Sequence, residues 1–138
     1  MMCGKDHELD ALRVMLVDDD DLVSRFLEIL LCNYGCSISV FNDSKDALED
    51  FRNNPAAYDL VISDVRMPSL TGDRLAEEIL AIKPDIPFVL ISGYSPDLDV
   101  MRLKRLGVKY FLSKPVENKK LMQIVDEFKS LVNPDKFN

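Results

Sequence analysis

Short, almost wholly apolar runs alternate along the chain with longer stretches whose apolar residues recur every three or four positions. Val14-Met15-Leu16-Val17 is the first run and ends in acids. From Asp21 to Tyr34 the apolar positions are Val23, Phe26, Leu27, Leu30, Leu31 and Tyr34, a spacing that predicts one helix face. Gly35 stops that helix. Ile38, Val40 and Phe41 predict a second strand. Ser44 then reads as the N-cap of a helix through Ala47, Leu48 and Phe51, broken by Asn53-Asn54-Pro55. Leu60-Val61-Ile62 is a third strand, followed by a loop from Met67 to Gly72. Leu75, Ala76, Ile79 and Leu80 line a helix that ends before Pro84, and Phe88-Val89-Leu90-Ile91 is the fourth strand. Ser95-Pro96 supplies an N-cap and first helical residue for a helix reaching Leu106. Tyr110-Phe111-Leu112 is a fifth strand, and Leu121, Ile124, Val125, Phe128, Leu131 and Val132 mark a last amphipathic helix.

Strands that are apolar almost throughout are buried on both faces, so five βα units predict a parallel sheet with helices on both sides. The chain of 138 residues fits one α/β domain, without repeats or a Gly/Ser/Pro linker. The expected division is a flexible leader at 1–10, the domain at 11–132 and a short tail at 133–138, which leaves no room for an attached output domain. Hydrophobic residues at 47% and charged residues at 30% are globular rather than disordered composition. Seventeen basic against 24 acidic side chains give a net charge of −7, which argues against binding nucleic acid or anionic lipid. No apolar run approaches the roughly 18 residues of a membrane span, and the N-terminus lacks a signal-peptide core. A soluble, cytoplasmic protein is expected. Cys3, Cys32 and Cys36 complete no zinc pattern and are expected to be ordinary thiols. His7, the only histidine, sits in the polar leader and offers little for histidine-based catalysis.

In a parallel sheet the functional edge lies beyond the C-terminal ends of the strands. Asp18, Asp19, Asp20 and Asp21 follow strand one, Asp64 strand three, Ser92 and Gly93 strand four, and Ser113, Lys114 and Pro115 strand five. Each has an ordinary explanation alone: a helix start, a turn, a surface charge. Together, after four strands, they make chemical sense. Crowded carboxylates repel, and Mg²⁺ relieves that repulsion with a few carboxylate oxygens, a carbonyl and waters. A carboxylate beside a metal, an ammonium and a hydroxyl is equipped to attack phosphorus and hold the phosphoryl group.

The stretches Val14-Met-Leu-Val-Asp-Asp-Asp20, Asp59-Leu-Val-Ile-Ser-Asp-Val-Arg-Met-Pro-Ser-Leu-Thr-Gly72, Pro87-Phe-Val-Leu-Ile-Ser-Gly93 and Gly107-Val-Lys-Tyr-Phe-Leu-Ser-Lys-Pro115 resemble the receiver domains of two-component response regulators. The resemblance runs from about Ala11 to Val132. It implies a flavodoxin-like three-layer sandwich whose five-stranded parallel sheet has the order 2-1-3-4-5. It implies that Asp64 accepts a phosphoryl group from a phosphohistidine, and that Asp18, Asp19, Asp64 and the Arg66 backbone carbonyl hold Mg²⁺. Ser92 and Lys114 are the implied phosphoryl-binding residues, Ser92 and Phe111 the switch that alters the surface of the fourth helix, fifth strand and fifth helix, and Lys114–Pro115 a cis bond. The implied partner is a histidine kinase, in the same chain or a separate one, or a histidine phosphotransfer protein; no oligomeric state is implied. The chain is similar to receivers at the C-terminal end of hybrid histidine kinases, which leaves open whether it stands alone or belongs to a longer protein.

Four positions qualify that expectation. Asp20 and Asp21 extend the acidic run and read as the start of the first helix, where negative charge is favourable. Phe111 stands where the family often has Tyr, so a switch there is a packing event. Ser92 replaces the commoner Thr and lacks its methyl. Two other functions stay open: a receiver-like module that binds without phosphorylation, and a phosphatase of the haloacid-dehalogenase type, whose Asp-x-Asp motif Asp18-Asp19-Asp20 mimics.

Overall fold

The computed structural model describes residues 11–93 and 96–132. Five parallel strands, β1 (Arg13–Val17), β2 (Ser37–Phe41), β3 (Leu60–Asp64), β4 (Phe88–Ser92) and β5 (Tyr110–Ser113), form one sheet in the order β2-β1-β3-β4-β5. The helices between and after them are α1 (Asp21–Asn33), α2 (Ser44–Asn53), α3 (Gly72–Ile82), α4 (Val100–Leu106) and α5 (Asn118–Val132), with a short 3₁₀ turn at Pro55–Ala57. The expected parallel α/β sandwich is what the chain forms.

Strand side chains alternate between two cores. Met15, Val17, Val61, Phe88 and Leu90 face α2, α3 and α4, packing with Ala47, Phe51, Leu75, Ile79 and Leu103. Val14, Leu16, Leu60, Ile62, Val89 and Ile91 face α1 and α5, packing with Leu27, Leu31, Leu121, Val125 and Phe128. Burial on both faces explains why the strands read as continuous apolar runs. The sheet turns outward in both directions from β1 and β3, which pair with each other in register from Val14↔Leu60 to Val17↔Ser63. Their C-terminal ends open onto the crevice where ligands bind in such sheets.

α1 ends in a two-bond turn: the Gly35 amide donates to the Cys32 carbonyl and the Cys36 amide to the Leu31 carbonyl. Gly35, at φ +90°, supplies the left-handed conformation this ending needs. The last turn of α1 has no basic residue of its own. Lys129 of α5 fills that role, donating to the Tyr34 carbonyl at 2.7 Å and lying 5.0 Å over the Tyr34 ring.

Several local expectations are corrected. Phe26 is 53% exposed, not part of the core face of α1, which buries Ser24, Leu27 and Leu31 instead. α2 is capped by Asp43, whose carboxylate accepts the Lys45 amide; Ser44 is its first residue and donates to the Leu70 carbonyl at 2.6 Å. α4 starts at Val100 behind an Asp99 cap that accepts the Arg102 amide, not behind Ser95-Pro96. Ser95 lies outside the described residues, as do Tyr94, the leader with Cys3 and His7, and the tail. Cys36 is a buried thiol, but Cys32 is disulfide-bonded, contrary to the expectation of ordinary thiols throughout.

Candidate functional site

β1 delivers Asp18 and Asp19 to the crevice and β3 delivers Asp64, because the two strands are adjacent and parallel. Asp18, Asp19 and Asp64 each place a carboxylate oxygen within 4.8 Å of the others. Asp18 and Asp64 are buried and Asp19 is exposed, so the cluster is rooted in the protein and open to water on one side. Three hard oxygen donors at this spacing suit a small divalent cation that keeps several waters. Lys114, from the end of β5, reaches in and sets its Nζ 3.1 Å from Asp64 Oδ1.

The crowding shows in the titration of the groups. Burial pushes the Asp18 carboxyl up from 3.8 to about 6; the Asp20 amide and Lys114 oppose the rise, while Asp64 and Asp19 add to it. Burial works against the Lys114 charge, yet the hydrogen bond to Asp64 and the carboxylates of Asp64, Asp18 and Asp20 outweigh it, and its pKa is raised. The cluster is thus a site of crowded negative charge with the Lys114 ammonium set against it.

Backbone hydrogen bonds hold these groups in place. The Asp20 amide donates to Asp18 Oδ1 at 2.9 Å. Asp20 itself is the N-cap of α1, accepting from the Leu22 and Val23 amides. That role agrees with its reading as a helix start. The buried Ser63 hydroxyl donates to the Asp64 carbonyl at 2.8 Å. Gly72 closes the other side: its amide donates to the Val65 carbonyl, and a Cβ there would lie 2.0 Å from the Asp64 carbonyl oxygen. Only glycine allows α3 to start so close to the end of β3.

The remaining sequence candidates sit around this centre. Ser92 ends β4, half-buried, with its hydroxyl donating to the Gly93 carbonyl at 3.2 Å. Arg66 lies in the loop two residues beyond Asp64, its residue exposed. Phe111 points to the α4 side of the sheet, partly buried against that core. The Lys114–Pro115 peptide bond is cis.

The sequence pattern did not single out Asn42. Its side-chain amide donates to the Asp18 carbonyl at 2.7 Å and to Ser24 Oγ at 3.2 Å. The signal was present: Asn42 follows β2 as the acids follow β1, on the same edge of the sheet.

A second feature beside the site escaped the helical pattern. Leu22, Phe26 and Ile29 run along the outer face of α1 at 82%, 53% and 50% exposure. The stripe borders an apolar groove of about 400 Å³ lined by Leu22, Val23, Phe26, Leu27, Lys114, Pro115 and Val116.

Known proteins share this arrangement. Residues 14–126 match the family model of the response regulator receiver domain. The chain is 36% identical over 114 residues to the two-component response regulator ARR10 of Arabidopsis thaliana, covering 83% of this chain and 20% of that one. It is 32% identical over 108 residues to the transcriptional regulatory protein ZraR of Escherichia coli, covering 78% and 24%. The chain thus spans about a fifth to a quarter of the length of these relatives. A solved receiver domain from Clostridium thermocellum superposes with a TM-score of 0.78 at 26% identity, covering 91% of this chain and 98% of that one. With the strand order, the acidic crevice and the family match agreeing, the chain belongs to the response-regulator receiver domains.

Proposed function

We propose that the chain is the phosphoacceptor of a two-component phosphorelay and that Asp64 takes the phosphoryl group. The observation that carries this reading is the cluster itself: Asp64 is buried within 4.8 Å of two further carboxylates and 3.1 Å from an ammonium. Asp18, Asp19, Asp64 and the Arg66 carbonyl are the groups assigned to Mg²⁺. When bound, the ion supplies positive charge against the transferring phosphoryl oxygens. Asp64 attacks phosphorus as a carboxylate; the new O–P bond forms as the N–P bond of the phosphohistidine breaks, and its electron pair returns to the imidazole. Lys114 then pairs with the phosphoryl oxygens, Ser92 turns its hydroxyl from the Gly93 carbonyl toward them, and Phe111 repacks against α4. That sequence converts a local charge into a changed α4-β5-α5 surface. The domain is a signalling element that catalyses its own phosphorylation and dephosphorylation, not a separate enzyme.

The donor on this reading is a histidine kinase or a histidine phosphotransfer protein. The apolar stripe of α1 and the groove ending at Lys114 give its helical surface a place to dock beside Asp64. No helix among the described residues is long and apolar enough to cross a membrane, and the proposed setting is the cytoplasm. Incubation with acetyl phosphate and Mg²⁺ tests the reading by intact-mass measurement. One added phosphoryl group is expected, labile to hydroxylamine and absent in Asp64→Asn. No adduct under any Mg²⁺ concentration would favour a phosphorylation-independent binding module.

A further inference from the structure

We infer that Asn42 is a positioning residue for the cation site, acting through the peptide unit that joins Asp18 to Asp19. The inference rests on the reading of Asp18, Asp19 and Asp64 as cation ligands. Asp18 is well held: its amide donates to the Phe41 carbonyl at 3.0 Å and its Oδ1 accepts the Asp20 amide at 2.9 Å. Asp19 is the exposed member of the three, so where its carboxylate points depends on how its backbone leaves Asp18.

The Asp18 carbonyl belongs to that connecting peptide, and a peptide unit is planar. Fixing its oxygen therefore fixes the plane from which the Asp19 Cα departs. Asn42 fixes it at 2.7 Å and uses the same NH₂ group to reach Ser24 Oγ at 3.2 Å. Ser24 is buried in α1 and donates in turn to the Asp21 carbonyl at 3.2 Å. One side-chain amide from the end of β2 thereby ties the first acid of the run to its last, with Asp19 between the two anchors. A neutral amide suits this position, because it offers two donors toward a carbonyl and a hydroxyl oxygen and adds no charge to an already acidic crevice.

Groups that orient ligands in this indirect way typically change metal affinity by about 10–100-fold when removed. Asn42→Ala is expected to weaken Mg²⁺ binding by about tenfold, read by calorimetric titration of the full chain and by amide chemical shifts of Asp19 and Asp64. In phosphorylation by acetyl phosphate, the half-saturating Mg²⁺ concentration should rise by the same factor, while the rate at saturation stays within about twofold. Ser24→Ala cuts the relay at its far end and is expected to give about a threefold rise, with little added to the Asn42→Ala effect in the double variant. Lys129→Met serves as control, because it destabilises the far end of α1 without touching the relay. The inference is overturned if Asn42→Ala and Ser24→Ala both keep the wild-type half-saturating concentration. It is equally overturned if Lys129→Met shifts that concentration as much as they do. Should Asn42→Ala not fold, Ser24→Ala alone decides. Absence of any Mg²⁺ binding by the wild type would instead refute the underlying assignment of the ligands.

Discussion

Replacing Asp18 with asparagine is expected to stabilise the metal-free protein while abolishing its response to Mg²⁺. The substitution keeps the side-chain oxygen that accepts the Asp20 amide and removes the charge that burial disfavours. A carboxyl with a higher pKa folded than unfolded holds its proton more tightly in the folded state. Its contribution to stability is full below the unfolded value of 3.8 and is lost as pH rises through about 6. At about 1.4 kcal/mol per pKa unit, the rise corresponds to about 3 kcal/mol above neutrality. Water and counter-ions at the open mouth beside Asp19 screen part of this, leaving about 1–2 kcal/mol. For a domain of this size that is a gain of about 4–8 °C in the unfolding temperature. Thermal unfolding in EDTA at about pH 7.5 should show that gain, and at about pH 4 it should shrink to roughly a fifth. With millimolar Mg²⁺ the order reverses, since the wild type alone gains stability from the bound ion. Equal or lower stability of the variant at pH 7.5 in EDTA would refute the reasoning. So would a gain that does not change with pH.

Three further outcomes follow from the same geometry. Gly72→Ala puts a Cβ 2.0 Å from the Asp64 carbonyl oxygen and 2.9 Å from Val65 Cα. Backbone must move against backbone, so a loss of about 3 kcal/mol or more in urea unfolding is expected, with slower phosphorylation of the folded fraction. If Asp18 is a Mg²⁺ ligand as proposed, the ion must displace its proton, and the half-saturating Mg²⁺ concentration should climb toward about tenfold per pH unit as pH falls below about 6. Calorimetric titrations at several pH values check the slope; a flat profile would contradict it. Lys129→Met keeps the aliphatic stem but removes the ammonium from the Tyr34 carbonyl at the C-cap of α1. About 1–2 kcal/mol of stability should be lost, with amide hydrogen exchange quickening around Tyr34 and Gly35.

What the sequence made legible follows from how the sheet is built. Doubly buried strands leave continuous apolar runs, and parallel pairing sends every strand end to one edge, so Asp18, Asp19, Asp64 and Lys114 converge without any knowledge of side-chain paths. The helices were less legible. On α1, two apolar stripes lie side by side, and 3-and-4 spacing alone does not say that Leu27 and Leu31 turn inward while Phe26 turns outward. α2 and α4 offered competing caps: Asp43 beside Ser44, and Asp99 downstream of Ser95. In both cases the Asp carboxylate accepted the helix amide, and at α2 the serine hydroxyl was drawn off to the Leu70 carbonyl. Asn42 and Lys129 stayed hidden because their bonds reach backbone atoms distant in sequence, and such bonds leave no periodic trace.

The Asp64–Lys114 pair has a consequence for what moves. The ammonium stands at the carboxylate before any phosphoryl group arrives, so it needs only to exchange one anionic partner for another at nearly the same spot. Three carboxylates facing one ammonium leave a surplus that matches a divalent ion, and with that ion bound the crevice is electrically balanced at rest. Phosphorylation of Asp64 would disturb that balance by one further negative charge, with the Lys114 ammonium already engaged. The Ser92 hydroxyl, which donates at rest to its neighbour's carbonyl, is on the proposed reading the donor that turns. On that reading the lysine is the fixed electrode of the switch, and the serine its contact arm.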